Sequence, residues 1–550
     1  MSQNSDDQPT SVLSDAQRYW LKLNPALGAG NFLHVAHGLN TASDVPLVWT
    51  DEPFNLGGQV VEGPLSLNQL KAAVDALARW HVMQDVRAKD PVGVYGSNGL
   101  HYLLHYMALT ALGAIPVLTN GAMPHATALA HMRRVGAVGV VADEAQHAAL
   151  TESATAGEFR FLARMDQIVA PGAEVSLPQP YPFVHDELDP VMITHSSGTT
   201  GVPKPVLLQH GKWFHGIRHL LGLPAAQGAE RYLSCLPVSH NAAIAYAMHA
   251  ILCGAALMIL SKQRAEVLLE SIERFKPSTV VSFPANYVAM VAGGLEGRAL
   301  ESVSNWINSG DAAHEAHIRQ LVRHGHHYRG AQRVTGSQFI DGLGSSEMGH
   351  SSFRVVYTSA DQNFDRCVGL PQEWVDAKVL GEDGRELPVG QVGRLGIKSP
   401  SVTSGYWNDS LLTHRSQLAG YWLTGDLVYK DRMGCFFHVD RTTDPIRTEQ
   451  GTLYSLQTEE LILKICPELL DCTVLGHSVG EFFEPVVYGY PYPGGAVDEA
   501  ALLERINAAQ QRLGRPRLVR LKLVDAADIL VGVTGKVTKQ AMRQRMAETA

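Results

Sequence analysis

Residues 192–205 read M-I-T-H-S-S-G-T-T-G-V-P-K-P, and this stretch has the chemistry of a phosphate cradle. The apolar residues Pro190, Val191, Met192 and Ile193 predict a buried strand that feeds into Ser196, Ser197, Gly198, Thr199, Thr200, Gly201 and Lys204. Glycines let successive backbone N–H groups turn toward one anion, hydroxyls add donors, and the lysine adds positive charge. The spacing G-x-x-x-x-G-K-S/T does not occur, so the stretch is not a Walker A loop. Taken alone it also fits a Ser/Gly-rich surface loop. The rest of the chain decides between the two.

At 550 residues the chain exceeds one compact core, and two or more domains are expected. Lys and Arg number 45 against 54 Asp and Glu, a net charge of −9 with no basic block, so nucleic acid is not an expected partner. Cys235, Cys253, Cys367, Cys435, Cys466 and Cys472 stand without C-x-x-C spacing, as reduced thiols of a cytoplasmic protein would. The polar, acidic start M-S-Q-N-S-D-D-Q-P-T-S is not a signal peptide. Residues 242–260 are long enough to raise the question of a membrane span. His249 near their middle and the break at Gly254 predict instead a buried helix followed by a short core strand, A-L-M-I-L, and no span.

The chain ahead of Leu65 reads as a disordered-looking tail. Beyond it, helical patterns alternate with short buried strand patterns such as P-V-G-V-Y, I-P-V-L and V-G-V-V-A. That alternation resumes after the phosphate loop and implies parallel sheets covered on both faces. From Trp374 shorter strands with Gly-rich turns predict a β-rich subdomain, and an α+β pattern begins after Asp440. The fold class is therefore α/β. A large N-terminal domain, residues 1–439, joins parallel α/β sheets to a β-rich subdomain, and a small α+β C-terminal domain spans residues 440–550.

Further short motifs follow the phosphate loop in a definite order. They are N-S-G-D-A-A at 308–313, I-D-G-L-G-S-S-E-M-G at 340–349 and G-Y-W-N-D-S at 405–410. After them come G-Y-W-L-T-G-D-L at 420–427, F-F-H-V-D-R-T-T-D-P-I-R at 436–447 and V-T-G-K-V-T at 533–538. In kind, order and approximate spacing they resemble the adenylate-forming superfamily of acyl-CoA synthetases, stand-alone adenylation domains and luciferases. The resemblance implies ATP and Mg2+ as cofactors. It gives the triphosphate to residues 196–204 and the adenine to the loops carrying Gly310, Asp311, Ala312, Leu343, Gly344, Ser345 and Ser346. Glu347 is the expected magnesium ligand, Asp426 the acceptor for the ribose hydroxyls, and Arg441 a contact to ribose or phosphate. It further implies a hinge at 440–443, a mobile small domain, and Lys536 as the lysine that reaches the α-phosphate. Glu347, Thr200, Lys204 and Lys536 are the expected catalytic residues. The acid pocket is expected around His240, Asn241, Phe283, Ser309 and Gly342. Leu343 departs from the family, which commonly has tyrosine there.

The implied reaction turns a small aryl or short-to-medium acyl carboxylic acid into an adenylate, with pyrophosphate released and then transfer to CoA. No general base is needed, because a carboxylate is already ionised near neutral pH. Glu449 and Gln450 stand where CoA-using members carry two glycines, and Pro205 stands where a glycine is commoner. A carrier-protein thiol, an amine or another nucleophile is therefore an alternative acceptor, and a non-carboxylate oxyacid such as nitrite an alternative substrate. A nucleotide-binding sensor without turnover is the distant alternative, which retention of Glu347 and Lys536 opposes. A monomer or homodimer is expected. H-G-H-H at 324–327 reads as a solvated loop rather than a metal site.

Overall fold

Buried strands and amphipathic helices alternate because each helix carries an apolar stripe that covers one face of a sheet. Helix Leu67–Met83 illustrates the local code. Ser66 caps it in a reciprocal capping box with Gln69, and Leu67, Leu70, Val74, Leu77 and Ala78 form its buried stripe. A computed structural model describes residues 13–39, 43–56, 58–169, 171–196, 203–223, 230–361, 364–494, 497–530, 532 and 537–548.

Two sheets dominate. In the six-stranded sheet the order is Lys204–Gln209, Pro190–Ser196, Ile115–Asn120, Pro91–Gly96, Gly139–Ala142 and Phe161–Arg164. All neighbours are parallel except the first pair, where Lys204 lies in register opposite Ser196. The second sheet holds parallel strands Pro46–Thr50, Ala256–Ile259, Arg231–Ser234, Thr279–Ser282, Asn305–Asn308 and Gln338–Asp341. Helix Asn241–Cys253 ends at Gly254 in the left-handed region (φ 65°), and strand Ala256–Ile259 follows, fully buried. Among the described residues no helix is long and apolar enough to cross a membrane.

The β-rich strands expected from Trp374 onward extend the second sheet. Strand Phe353–Tyr357 pairs antiparallel with Gln338–Asp341, and the ladder continues through Cys367–Pro371, Phe436–Arg441, Tyr421–Lys430, Gly393–Lys398 and Asp376–Leu380. Two expectations need correction. The described residues ahead of Leu65 are not a tail: helices Asp15–Leu23 and Phe32–Leu39 bury Leu21, Phe32 and Leu33 in the main core. A capping box at Ser14 and Gln17 starts the first helix, and Arg18 is buried against Glu230 at 3.4 Å. His327 is not solvated either. It sits in hairpin strand His326–Arg329, and its Nδ1 lies 2.6 Å from the Gly336 carbonyl, which satisfies a buried ring nitrogen.

The small C-terminal domain has a sheet of Leu469–Val479, Phe482–Pro491 and Arg520–Leu523. Helices Ser455–Ile465 and Glu499–Arg512 pack on it around Ile462, Val474, Val487, Ile506 and Leu521.

Candidate active site

Strands Arg231–Ser234, Thr279–Ser282, Asn305–Asn308 and Gln338–Asp341 are parallel neighbours, so the loops leaving their carboxyl ends gather on one side. That edge is where open α/β sheets bind ligands. The loops carry His240 and Asn241, Phe283, Ser309 to Ala312, and Gly342 to Glu347. Strand Pro190–Ser196 of the other sheet forms the facing wall, because Ser196 Oγ donates to Glu347 Oε1 at 3.1 Å.

Glu347 is the meeting point. Tyr406 OH donates to the same Oε1 at 3.0 Å, and the Glu347 carbonyl accepts the Thr403 N–H at 2.8 Å. Two hydroxyls on one oxygen orient the carboxylate and leave Oε2 outside this pair. Burial and the neighbouring Glu347 both push the Tyr406 phenol far above its ordinary range, so it remains a donor. Lys204 Nζ lies 5.8 Å from the centre of the Tyr406 ring, which brings both flanks of the expected phosphate cradle to Glu347. Ser197, Gly198, Thr199, Thr200 and Gly201 lie outside the described residues, as does Lys536.

The motifs at 308–313 and 340–349 are tied together by Asn308. Its Nδ2 donates to the Asp311 carbonyl at 2.8 Å and to Asp341 Oδ1 at 3.0 Å. Burial raises the Asp341 carboxyl above its usual value, and the Asn308 hydrogen bond offsets part of that rise. Asn308 Oδ1 is buried with no hydrogen-bond partner among the described residues. Such an acceptor fits an exocyclic amine of the kind adenine carries. Gly310 turns the loop at φ 87°. Leu343 packs partly buried against the main core, and Ser345 Oγ caps the Met348 N–H at 3.4 Å. At Gly342 a β-carbon would stand 2.2 Å from the Phe353 carbonyl oxygen, and at Gly344 one would stand 3.0 Å from Ser351 Cα. The backbone therefore comes close here only because side chains are absent.

Asp426 is buried beside Arg441, whose Nη1 donates to Oδ1 at 3.0 Å, and His438 Nε2 is 3.4 Å from the same oxygen. Burial would raise this carboxyl, but Arg441 and His438 outweigh it and hold Asp426 far below the usual carboxylate range. Asp426 and Arg441 are cross-strand partners in register, which explains the pairing. In the expected acid pocket, His240 Nδ1 accepts the Ala242 N–H at 3.3 Å and caps helix Asn241–Cys253. That bond places the ring proton of neutral His240 on Nε2. The ring meets Phe283 edge to face at 5.5 Å, and Ser346 Oγ donates to Asn241 Oδ1 at 3.3 Å, joining this pocket to the Glu347 loop. Ser309 N–H donates to the Ser282 carbonyl at 3.2 Å.

The model for the AMP-binding enzyme family matches residues 60–407. The chain belongs to that family. The AMP-binding enzyme is 40% identical to the 3-aminoavenalumate diazotase of a Streptomyces species, over 98% of this chain and 99% of that protein. It is 25% identical to the 3-amino-2-hydroxy-4-methoxybenzoate diazotase of Streptomyces cremeus, over 82% of this chain and 85% of that one. In fold it matches the anthranilate CoA ligase AuaEII, solved in complex with anthranoyl-AMP, with a TM-score of 0.81 at 17% identity, over 98% of this chain and 100% of that one. It is an adenylate-forming ligase with a large N-terminal and a small C-terminal domain.

Tyr406 and His438 of this AMP-binding enzyme were not among the expected site residues, although both lie inside the motifs at 405–410 and 436–447. Tyr406, the second residue of G-Y-W-N, has no sequence signal of its own. Its partner is 59 residues away.

Proposed function

We propose that this AMP-binding enzyme is an ATP-dependent diazotase, which activates nitrite and passes its nitroso group to an aromatic amine. The reading rests on the 40% identity, end to end, with the 3-aminoavenalumate diazotase. A nitrite oxygen attacks the α-phosphorus of ATP, the bond to pyrophosphate breaks, and a nitroso adenylate forms. The amine lone pair then attacks the nitroso nitrogen, the N–O bond to AMP breaks, and AMP leaves with the electron pair. The N-nitrosoammonium so formed loses one amine proton to give an N-nitrosamine, whose remaining N–H proton moves to the nitroso oxygen to give a diazohydroxide; this takes up one proton and loses water to give the diazonium ion.

In this reading residues 196–204 and Lys536 neutralise and orient the phosphates, and His240 Nε2–H donates to the oxyacid. Asn308 Oδ1 accepts from the adenine amine, and Asp426 accepts from the ribose hydroxyls. Glu347 is the magnesium ligand. Among the described residues no three His, Cys, Asp or Glu side chains cluster for a metal, so the remaining ligands of a hard cation would be phosphate oxygens and water. Bound magnesium offsets the charge that gathers on the phosphates. We take residues 1–439 and 440–550 as the two domains, with the hinge at 440–443.

The transfer to CoA that the motifs imply is the less favoured second step. At the tip of hairpin Ile446–Thr448 and Gly451–Leu453, Gln450 Oε1 accepts the Arg517 N–H at 2.9 Å. By the motif register, Glu449 and Gln450 stand where CoA-using members carry two glycines, and side chains there disfavour a close approach by pantetheine. An amine seated in the acid pocket needs no such channel.

The test is pyrophosphate release with nitrite and a panel of aromatic amines, run beside carboxylic acids with CoA. Expected is release that requires nitrite, and an azo product on trapping with a phenol, with label from 15N-nitrite in its azo bond. Release that answers only to carboxylic acids, with a thioester formed, would refute the diazotase reading. A second expectation concerns the ribose contact. Asp426→Ala should weaken equilibrium ATP binding by about tenfold or more, the scale of one hydrogen bond to a charged group. Unchanged affinity would remove that assignment.

A further inference from the structure

The stretch that follows the adenine loop is also the dock of the small domain. His314 Nδ1 lies 2.7 Å from Glu460 Oε2, and the Glu315 N–H donates to Glu460 Oε1 at 3.0 Å. His317 Nε2 lies 2.6 Å from the Leu470 carbonyl, and Lys464 Nζ is 3.5 Å from Glu315 Oε2. At the head of this row stands Asp311, whose Oδ2 accepts the Val537 N–H at 3.1 Å. The Val537 N–H belongs to the peptide group that Val537 shares with Lys536.

We infer that Asp311 is a positioning residue for adenylation: its carboxylate holds the peptide next to Lys536 against the adenine loop, so that a correctly set loop delivers the lysine. The inference rests on the proposed use of Lys536 in an adenylate-forming step. Three features fix the carboxylate before the small domain arrives. Its Oδ1 accepts the Ala312 N–H at 2.9 Å, which sets the side chain. The Asp311 N–H donates to the Ser309 carbonyl at 3.1 Å, and the Asp311 carbonyl accepts from Asn308 at 2.8 Å, which sets the backbone. With Oδ1 occupied inside the loop, Oδ2 is presented to the other domain.

The far side of the contact is equally anchored. Thr538 N–H and Oγ1 donate to the Leu530 carbonyl at 2.8 and 3.0 Å. Lys539 Nζ donates to Ser455 Oγ at 2.6 Å and Glu459 Oε1 at 2.8 Å, and Ser455 N–H in turn donates to Asp440 Oδ2 at 2.6 Å. A continuous set of hydrogen bonds thus runs from the adenine loop through residues 537–539 to the expected hinge. An adenine that seats against residues 308–312 sets the same loop that receives the small domain.

The experiment uses full-length Asp311→Ala and Asp311→Asn. The alanine variant is expected to lower kcat for nitrite-dependent pyrophosphate release by about tenfold to a hundredfold, the range for one lost hydrogen bond to a charged group, and by more than it changes KM for ATP. Asparagine can accept only one of the two N–H groups, so its kcat should fall between wild type and alanine. Hydrogen exchange of the peptide containing Val537 gives a readout free of catalysis, and its protection should drop in Asp311→Ala. Unchanged kcat and unchanged protection would overturn the inference, as would a rise in KM for ATP without a fall in kcat. If the wild type releases no pyrophosphate with nitrite, the functional reading fails, while the exchange measurement still decides whether Asp311 docks the small domain.

Discussion

Lys536→Ala is expected to lower pyrophosphate release by at least about a hundredfold while ATP still binds, the scale found when a preorganised electrostatic donor is removed. The crowding of negative charge at the α-phosphorus is the barrier to adenylation, because an anionic oxygen must approach an anionic phosphate. A cation that meets this charge only as it develops lowers the barrier without tightening the ground state. The hydrogen bond from Val537 N–H to Asp311 Oδ2 brings the neighbour of Lys536 to the adenine loop. Single-turnover pyrophosphate release, run beside equilibrium ATP binding, measures the two effects separately. Turnover at the wild-type rate in Lys536→Ala would remove the lysine from the mechanism.

The second large effect is on stability in acid. His81, His131, His195, His210 and His249 are all buried. Burial holds His81, His131 and His249 down to about 3 and His195 and His210 to about 4. An unfolded histidine titrates near about 6.5, so below that pH the unfolded chain binds protons that the folded chain refuses. Stability contributed by these residues is therefore fully present above the unfolded value and is lost as pH falls from there toward 4. Each contributes at most about 1.4 kcal/mol per pH unit. With several acting together, the denaturation midpoint should fall steeply between about pH 6.5 and 5. Urea unfolding at a series of pH values measures it. A midpoint that stays level through that window would mean that these imidazoles are protonated in the folded state.

Much of the site was legible along the chain because its signals are local. Glycines at 310, 342 and 344, the hydroxyls around 345 and 346, and the acid at 347 recur as short motifs whose order alone suffices to place them in one family. The loops carrying them converge because parallel strands deliver their carboxyl ends to one edge, a consequence that follows once the alternation of strands and helices is recognised. Asp426 and Arg441 were both expected at the nucleotide, and their mutual ion pair follows from strand register.

What escaped was set by partners far apart in sequence. The capping box at Ser14 was readable, yet the helix it starts leaves Tyr19, Trp20 and Leu23 exposed and buries Arg18, whose partner Glu230 lies 212 residues on. The β-rich pattern was legible, but nothing local tells that strand Phe353–Tyr357 joins it to the edge of the parallel sheet.

The sequence by itself determined the family, the α/β class and the adenylate-forming chemistry. These depend on periodicity, capping and motif order, which neighbouring residues carry. Only the tertiary structure decided that Tyr406 and Ser196 share one oxygen of Glu347, that Asn308 ties the two adenine loops together, and that Asp311 meets Val537 across 226 residues. A hydrogen bond between distant segments is fixed by how sheets and domains stack, and no pattern within either segment contains that information.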